Sequence, residues 1–247
     1  MCATMTKKNK MPEVSPAGWG PELERLYVIR SKALVFDFLY EHPVLVDLLK
    51  EAHPWIQKHF PRNGSPACLE LGSGPPGTGD EGLVVVVATN LDPIEAFKRR
   101  QQFDTDWWRA SMGRAEGKLR IRMEFPEAKG APAWLRPTTG ALDSLLGLPT
   151  NWDSYGARPV SHDCATYSLE VLYSIMRDDT PPPQVVPTSG GGVQLEWHMR
   201  GIDLEIEFRT PDRGHVVYEN LKTGSEWEGE IPADLTQAMQ YIGDLSR

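Results

Sequence analysis

PTSGGGVQLEWHMRGIDLEIEF, residues 187–208, decides the fold of the C-terminal half of the chain. Apolar and polar residues alternate over 193–199 and again over 202–208, the period of a strand with one buried face. Arg200-Gly201 stands between the two runs as a two-residue turn. The pattern therefore predicts a hairpin with Met199 facing Ile202, Trp197 facing Leu204, Leu195 facing Ile206 and Val193 facing Phe208. That side is wholly apolar. The other side then opposes His198 to Asp203, Glu196 to Glu205 and Gln194 to Glu207. Carboxylates placed directly across a ladder destabilise it unless a cation lies near. Glu196, His198, Asp203, Glu205 and Glu207 are accordingly the candidate interaction residues, to be balanced by arginines of the same chain, by a basic partner protein or by solvent.

The pattern continues on both sides of this hairpin. QVVPT (184–188), HVVYENL (215–221) and SEWEGEI (225–231) read as further strands of an antiparallel meander, closed by a helix at about 233–245. Before the meander, Ser161 is placed to cap a helix with Ala165, Leu169, Leu172 and Met176 on one face. Pro181 to Pro183 end it. His162, Asp163 and Cys164 are consecutive near that helix start, so their side chains fan out around the axis and serve as caps and core rather than as a nucleophile and its base. Residues 126–147, rich in proline with only a short helical turn at ALDSLLGL, read as a linker. A C-terminal domain then spans 148–247.

The N-terminal domain, 21–125, follows a tail over 1–20 and reads as ααββαβ. Leu26, Ile29, Ala33, Phe36 and Leu39 form one helical stripe, and Leu45 to Phe60 a second, which Pro54 should kink or split. ACLEL (67–71) and LVVVVAT (83–89) are strands around a loop of glycine and proline. Asp92, Pro93 and Glu95 open a helix that runs to about Met112, with Ala96, the Arg100 stem, Phe103 and Trp107 on the face against the sheet, and KLRIRMEF (118–125) is the last strand. The fold class expected is α+β, with two small domains, the second a helix followed by an antiparallel meander.

GPPGTGDEG, residues 74–82, resembles the phosphate loop of AAA-type ATPases, but Asp80 stands where that family has its lysine. An Asp80-Glu81 pair repels the phosphates the loop would have to cradle. LELGSGPP resembles the cofactor loop of methyltransferases that use S-adenosylmethionine, with Glu70, Gly72, Gly74 and Asp92 at matching places. A parallel crossover needs a helix between its strands, and Ser73 to Gly82 can form none. Residues 67–89 are therefore expected to form an antiparallel hairpin, and no cofactor is expected.

NWDSYGA (151–157) together with GGVQLEW (191–197) resembles a small module of bacterial hypothetical proteins, often written NWDGYGA and GGVQLEW. The resemblance covers about 148–231 and implies a bacterial source and the domain division, but no activity. The apolar content is that of a globular chain, and no run of about 20 apolar residues offers a membrane span. The start MCATMTKKNK lacks the apolar core of a secretory signal, so a cytoplasmic location is expected. The three cysteines are odd in number and far apart, which fits free thiols, and the histidines show no HxxxH spacing, so no metal is expected.

Net charge is -8, which weighs against nucleic acid as a partner. The charge is uneven: 98–122 carries eight basic and three acidic side chains, 193–230 nine acidic and four basic. The first expectation is a non-catalytic, antitoxin-like or defence-associated regulatory protein that binds another protein. The second is a nucleic-acid-binding module using Arg99, Arg100, Arg109, Arg120 and Arg122, with Trp107 or Trp108 stacking on bases. An enzyme, with a site between the domains or of the methyltransferase type, ranks third.

Overall fold

The computed structural model describes residues 18–61, 66–73, 81–125 and 131–245. Chain order is α1 (Gly20–Leu26), β1 (Val28–Ile29), α2 (Lys32–Glu41), α3 (Val44–His59), β2 (Cys68–Ser73), β3 (Glu81–Ala88) and α4 (Pro93–Phe103). A π-helical turn (Asp104–Trp108), α5 (Arg109–Ser111), a 3-10 turn, β4 (Leu119–Glu124) and α6 (Leu135–Leu146) follow. The remainder is α7 (His162–Ile175), β5 (Gln184–Pro187), β6 (Val193–Met199), β7 (Ile202–Thr210), β8 (Arg213–Asn220), β9 (Ser225–Ile231) and α8 (Leu235–Leu245). The class is α+β, as the residue patterns predict.

The first sheet has the order β1-β2-β3-β4 and is mixed. Its centre is the expected antiparallel hairpin, with Cys68 opposite Val86 and Leu71 opposite Leu83, while β3 and β4 run parallel across α4. Asp92 caps α4 by accepting from the amides of Ile94 and Glu95. The second sheet is the five-stranded antiparallel meander β5-β6-β7-β8-β9.

Four expectations are corrected. The first helical stripe is two helices: the chain breaks at Tyr27, and Val28–Ile29 pairs parallel with Cys68 and Leu69. Ser31 takes a left-handed φ of 49° before α2 restarts. Tyr27 is the cause, since its buried hydroxyl donates to the Leu49 carbonyl at 2.7 Å and anchors the break to α3. Pro54 does not divide α3, which runs through it. The residue patterns also place a linker over 126–147, yet Leu135–Leu146 is a helix that buries Thr138, Thr139, Leu142 and Asp143. Trp19, assigned to the tail, packs edge-on against Phe36 and Tyr40. Residues 1–17 lie outside the described residues, as do 74–80, most of the loop that resembles a phosphate cradle.

Most buried apolar residues form one cluster from Leu23 to Leu245, bridged where α6 and α7 pack on α4 and β4, while Cys68, Val84 and Val86 form a small second one on the first sheet. Burial of this kind contributes about 25 cal/mol per Å² of apolar area removed from water. Both sheets thus rest their apolar faces on shared helices. The opposite face of the five-stranded sheet carries none of them.

Candidate interaction face

The meander follows the predicted register residue by residue, with Glu196 opposite Glu205, His198 opposite Asp203 and Gln194 opposite Glu207. Arg200 and Gly201 form the turn with φ of 57° and 79°, the left-handed pair that a two-residue hairpin of this twist requires. Extending the register through β8 and β9 gives three rows across the sheet. Glu196, Glu205, Val217 and Glu228 form one; His198, Asp203, Glu219 and Glu226 the next; Gln194, Glu207, His215 and Glu230 the third. Carboxylates and two imidazoles therefore share one face. On the reverse face, Tyr218 stacks on Tyr241 of α8, and Trp227 meets the same ring at a tilt of 45°.

Neutral and cationic groups of the same face offset part of this charge. The Gln194 amide donates to Glu196 Oε1 at 3.0 Å and to Glu205 Oε2 at 2.9 Å, bridging the two opposed carboxylates. This brace was missed in sequence, although alternation alone puts Gln194 beside both. His198 Nδ1 lies 3.1 Å from Asp203 Oδ1, and its Nε2 lies 3.4 Å from Glu196 Oε2. The hydrogen bond to Asp203 raises the His198 pKa above its ordinary value, partial burial opposing and Glu196 assisting. Arg209 pairs with Glu207. His215 stands between Glu228 at 3.3 Å and Glu230 at 3.2 Å. Glu219, His215, Glu226, Glu228 and Glu230 were not singled out in sequence; the alternation in HVVYENL and SEWEGEI is the signal that places them here. The face is open at its β9 edge, where the Glu228 side chain is 73% exposed.

The residues of the alternative basic set lie in different settings. Arg100 is buried, not exposed: its guanidinium meets Asp104 at 2.9 Å, Asp143 at 3.2 Å and the Ile121 carbonyl at 2.7 Å. Trp107 and Trp108 are buried as well, so neither can stack on a base. Arg99 pairs with Glu95 at 2.7 Å, and Arg122 with Glu70 at 2.8 Å. Glu70 also binds Arg30 at 2.7 Å, so the acid of the methyltransferase-like motif is held in an ion-pair triad. Arg120 donates to the Gly72 carbonyl at 3.3 Å, and Arg109 is exposed.

The NWDSYGA motif also resolves into local structure. Asp153 Oδ1 accepts from the amides of Tyr155 at 2.8 Å and Ala157 at 3.0 Å, and Asn151 Oδ1 from Gly156 at 2.7 Å. The loop is tied to the TSGGG turn by Arg158 N to Ser189 O at 2.9 Å and Ser161 N to Gly191 O at 2.8 Å. The Asn151 and Asp153 side chains thus hold the backbone of this loop. Ser161 caps α7 through the Cys164 amide, and His162 and Cys164 are buried, as expected for caps and core.

Fold and face together define an α+β protein with an acidic, strand-built surface. Scans of protein-family models, of curated proteins and of solved structures return no match to this chain. Among the described residues, no helix is long and apolar enough to cross a membrane.

Proposed function

We propose that this chain is a non-catalytic regulatory protein of the bacterial cytoplasm that docks a basic protein partner on the outer face of its five-stranded sheet. The observation that carries this reading is the three-row alignment of carboxylates, brought side by side by register although like charges directly opposed cost stability. Such a face steers a partner of opposite sign and fixes its orientation more than it adds raw affinity. Open side chains at β9 and Val217, 42% exposed in the middle of one row, leave room for contact. The resemblance of the NWDSYGA and GGVQLEW segments to a bacterial module agrees with the assumed source. Burial of Arg100, Trp107 and Trp108 weighs against the nucleic-acid alternative. The antiparallel pairing of β2 with β3 weighs against a methyltransferase, whose cofactor loop needs a parallel crossover.

A photo-crosslinking residue at Val217, with a second at an exposed position on α8 such as Met239, tests the reading in the native host. The expected result is a defined adduct from Val217 to a basic protein, lost at high salt and in a Glu226→Lys, Glu228→Lys variant. Adducts from Met239 alone, or a Val217 adduct indifferent to salt and charge reversal, would overturn it.

A further inference from the structure

We propose that Glu196, His198 and Glu205 form a three-donor site for a divalent transition metal of the zinc class on the same sheet face. One ligand atom from each residue falls within 4.8 Å of the other two. A tetrahedral zinc with donors about 2.0–2.2 Å away sets neighbouring donors roughly 3.3 Å apart. His198 Nε2 and Glu196 Oε2 already stand 3.4 Å apart, and Glu205 offers a donor within 4.8 Å.

Every donor has an orienting partner. Asp203 takes the hydrogen bond of His198 Nδ1 at 3.1 Å, which selects the tautomer whose Nε2 lone pair is free for a metal. A carboxylate behind a ligating imidazole is the usual outer-shell arrangement in zinc sites. The Gln194 amide holds Glu196 by Oε1 and Glu205 by Oε2, so one oxygen of each carboxylate remains for the ion. The imidazole distinguishes this set from a purely acidic cluster, because nitrogen favours zinc, nickel or copper over magnesium or calcium. Three protein ligands leave a coordination position for water or for a side chain of a docked protein. HxxxH spacing is a helix rule; here a cross-strand pair supplies the site, which explains why histidine spacing in sequence pointed to no metal.

His215 is a built-in control. Glu230 stands at its Nδ1 and Glu228 at its Nε2, much as Asp203 and Glu196 flank His198, but among the described residues no group of three donors within 4.8 Å of one another includes it.

The test is calorimetric titration of the EDTA-stripped full chain with zinc chloride, and in parallel with calcium and magnesium chloride. The expected result is one saturable zinc site of micromolar affinity, undetectable in His198→Ala. Zinc affinity should fall roughly 10- to 100-fold in Asp203→Asn, an outer-shell change, and stay unchanged in His215→Ala. Glu205→Gln provides a second ligand variant should His198→Ala fold poorly. Zinc binding indifferent to His198 and Glu205, or calcium and magnesium bound as tightly as zinc, would overturn the site. The proposal stands apart from protein docking: crosslinking from Val217 is run in EDTA, so either can fail while the other holds.

Discussion

His162 Nε2 lies 2.8 Å from Asp104 Oδ2, joining the first residue of α7 to the π-helical turn beyond α4 across 58 positions of sequence. Asp104 passes the connection to Arg100 at 2.9 Å, and Arg100 passes it to Asp143 of α6 at 3.2 Å. Asp143 also accepts from the Met123 amide on β4 at 2.7 Å. Four elements from both halves of the chain thus meet at one buried guanidinium, and the charges there are intelligible only as a set.

Replacing Arg100 by methionine leaves Asp104 and Asp143 buried without their cation. The expected loss is about 3–5 kcal/mol of stability, the cost of orphaning a buried ion pair. A triple variant in which Arg100, Asp104 and Asp143 all become apolar should recover most of it. Urea unfolding of both variants checks the pair of outcomes, and a triple variant no better than the single one would contradict it.

The same cluster makes stability depend on pH with opposite signs at its two acids. Burial pushes Asp143 up to about 6 from 3.8, against the pull of Arg100 and the Met123 amide. The folded chain therefore binds a proton below about pH 6 that the unfolded chain does not, and Asp143 adds stability as pH falls from 6 towards 4. For Asp104, burial acts upward too, but Arg100 and His162 outweigh it and hold the pKa below its ordinary 3.8. Its contribution is present above that value and lost only in stronger acid. Thermal melts of the wild-type chain and Asp143→Asn at pH 7 and pH 5 should show the wild type gaining on the variant at the lower pH. A constant difference between the two would refute the assignment.

The Gln194 brace predicts an unequal response to two single changes on the acidic face. Gln194→Leu removes two hydrogen bonds to charged acceptors and should cost about 1.5–3 kcal/mol. Glu205→Gln removes one of two opposed charges and should be neutral or stabilising by about 0.5 kcal/mol. Equilibrium unfolding at low and moderate salt reads both, and the gain from Glu205→Gln should shrink as salt is added.

Two glycines of the TSGGG turn, Gly190 and Gly192, should differ sharply. A Cβ on Gly192 would collide with the Phe208 carbonyl oxygen and come within 2.9 Å of Thr188 Oγ1, whereas at Gly190 the nearest such atom is 4.0 Å away. Gly192→Ala is expected to cost about 1–3 kcal/mol, the range for forcing atoms into a packed site. Gly190→Ala should be tolerated. Melting temperatures of the two variants decide it, and equal losses would mean that the turn rearranges.

Sequence alone determined what depends on neighbours a few positions apart. The period-two alternation of 193–208 around Arg200-Gly201 specified every facing pair of β6 and β7, because a tight turn fixes register and a one-residue slip would turn the apolar set outward. The capping residues Asp92 and Ser161 were equally readable, since a cap acts within three residues. Only the tertiary structure decided the rest. The helical stripe already turns the Arg100 stem toward the sheet, but its guanidinium reads as one more cation in a basic run, and that it meets Asp143, 43 residues away, is decided by closure of the chain. Leu135–Leu146 reads as a linker because proline and glycine lower its local helix preference, and becomes a helix because packing against β4, β5 and α7 outweighs that preference. The full acidic face needed the β8 and β9 registers as well, and the donor set of Glu196, His198 and Glu205 needed side-chain positions that no spacing rule along one strand encodes. Local chemistry writes strands and caps; which charges end up buried together is set by long-range closure of the chain.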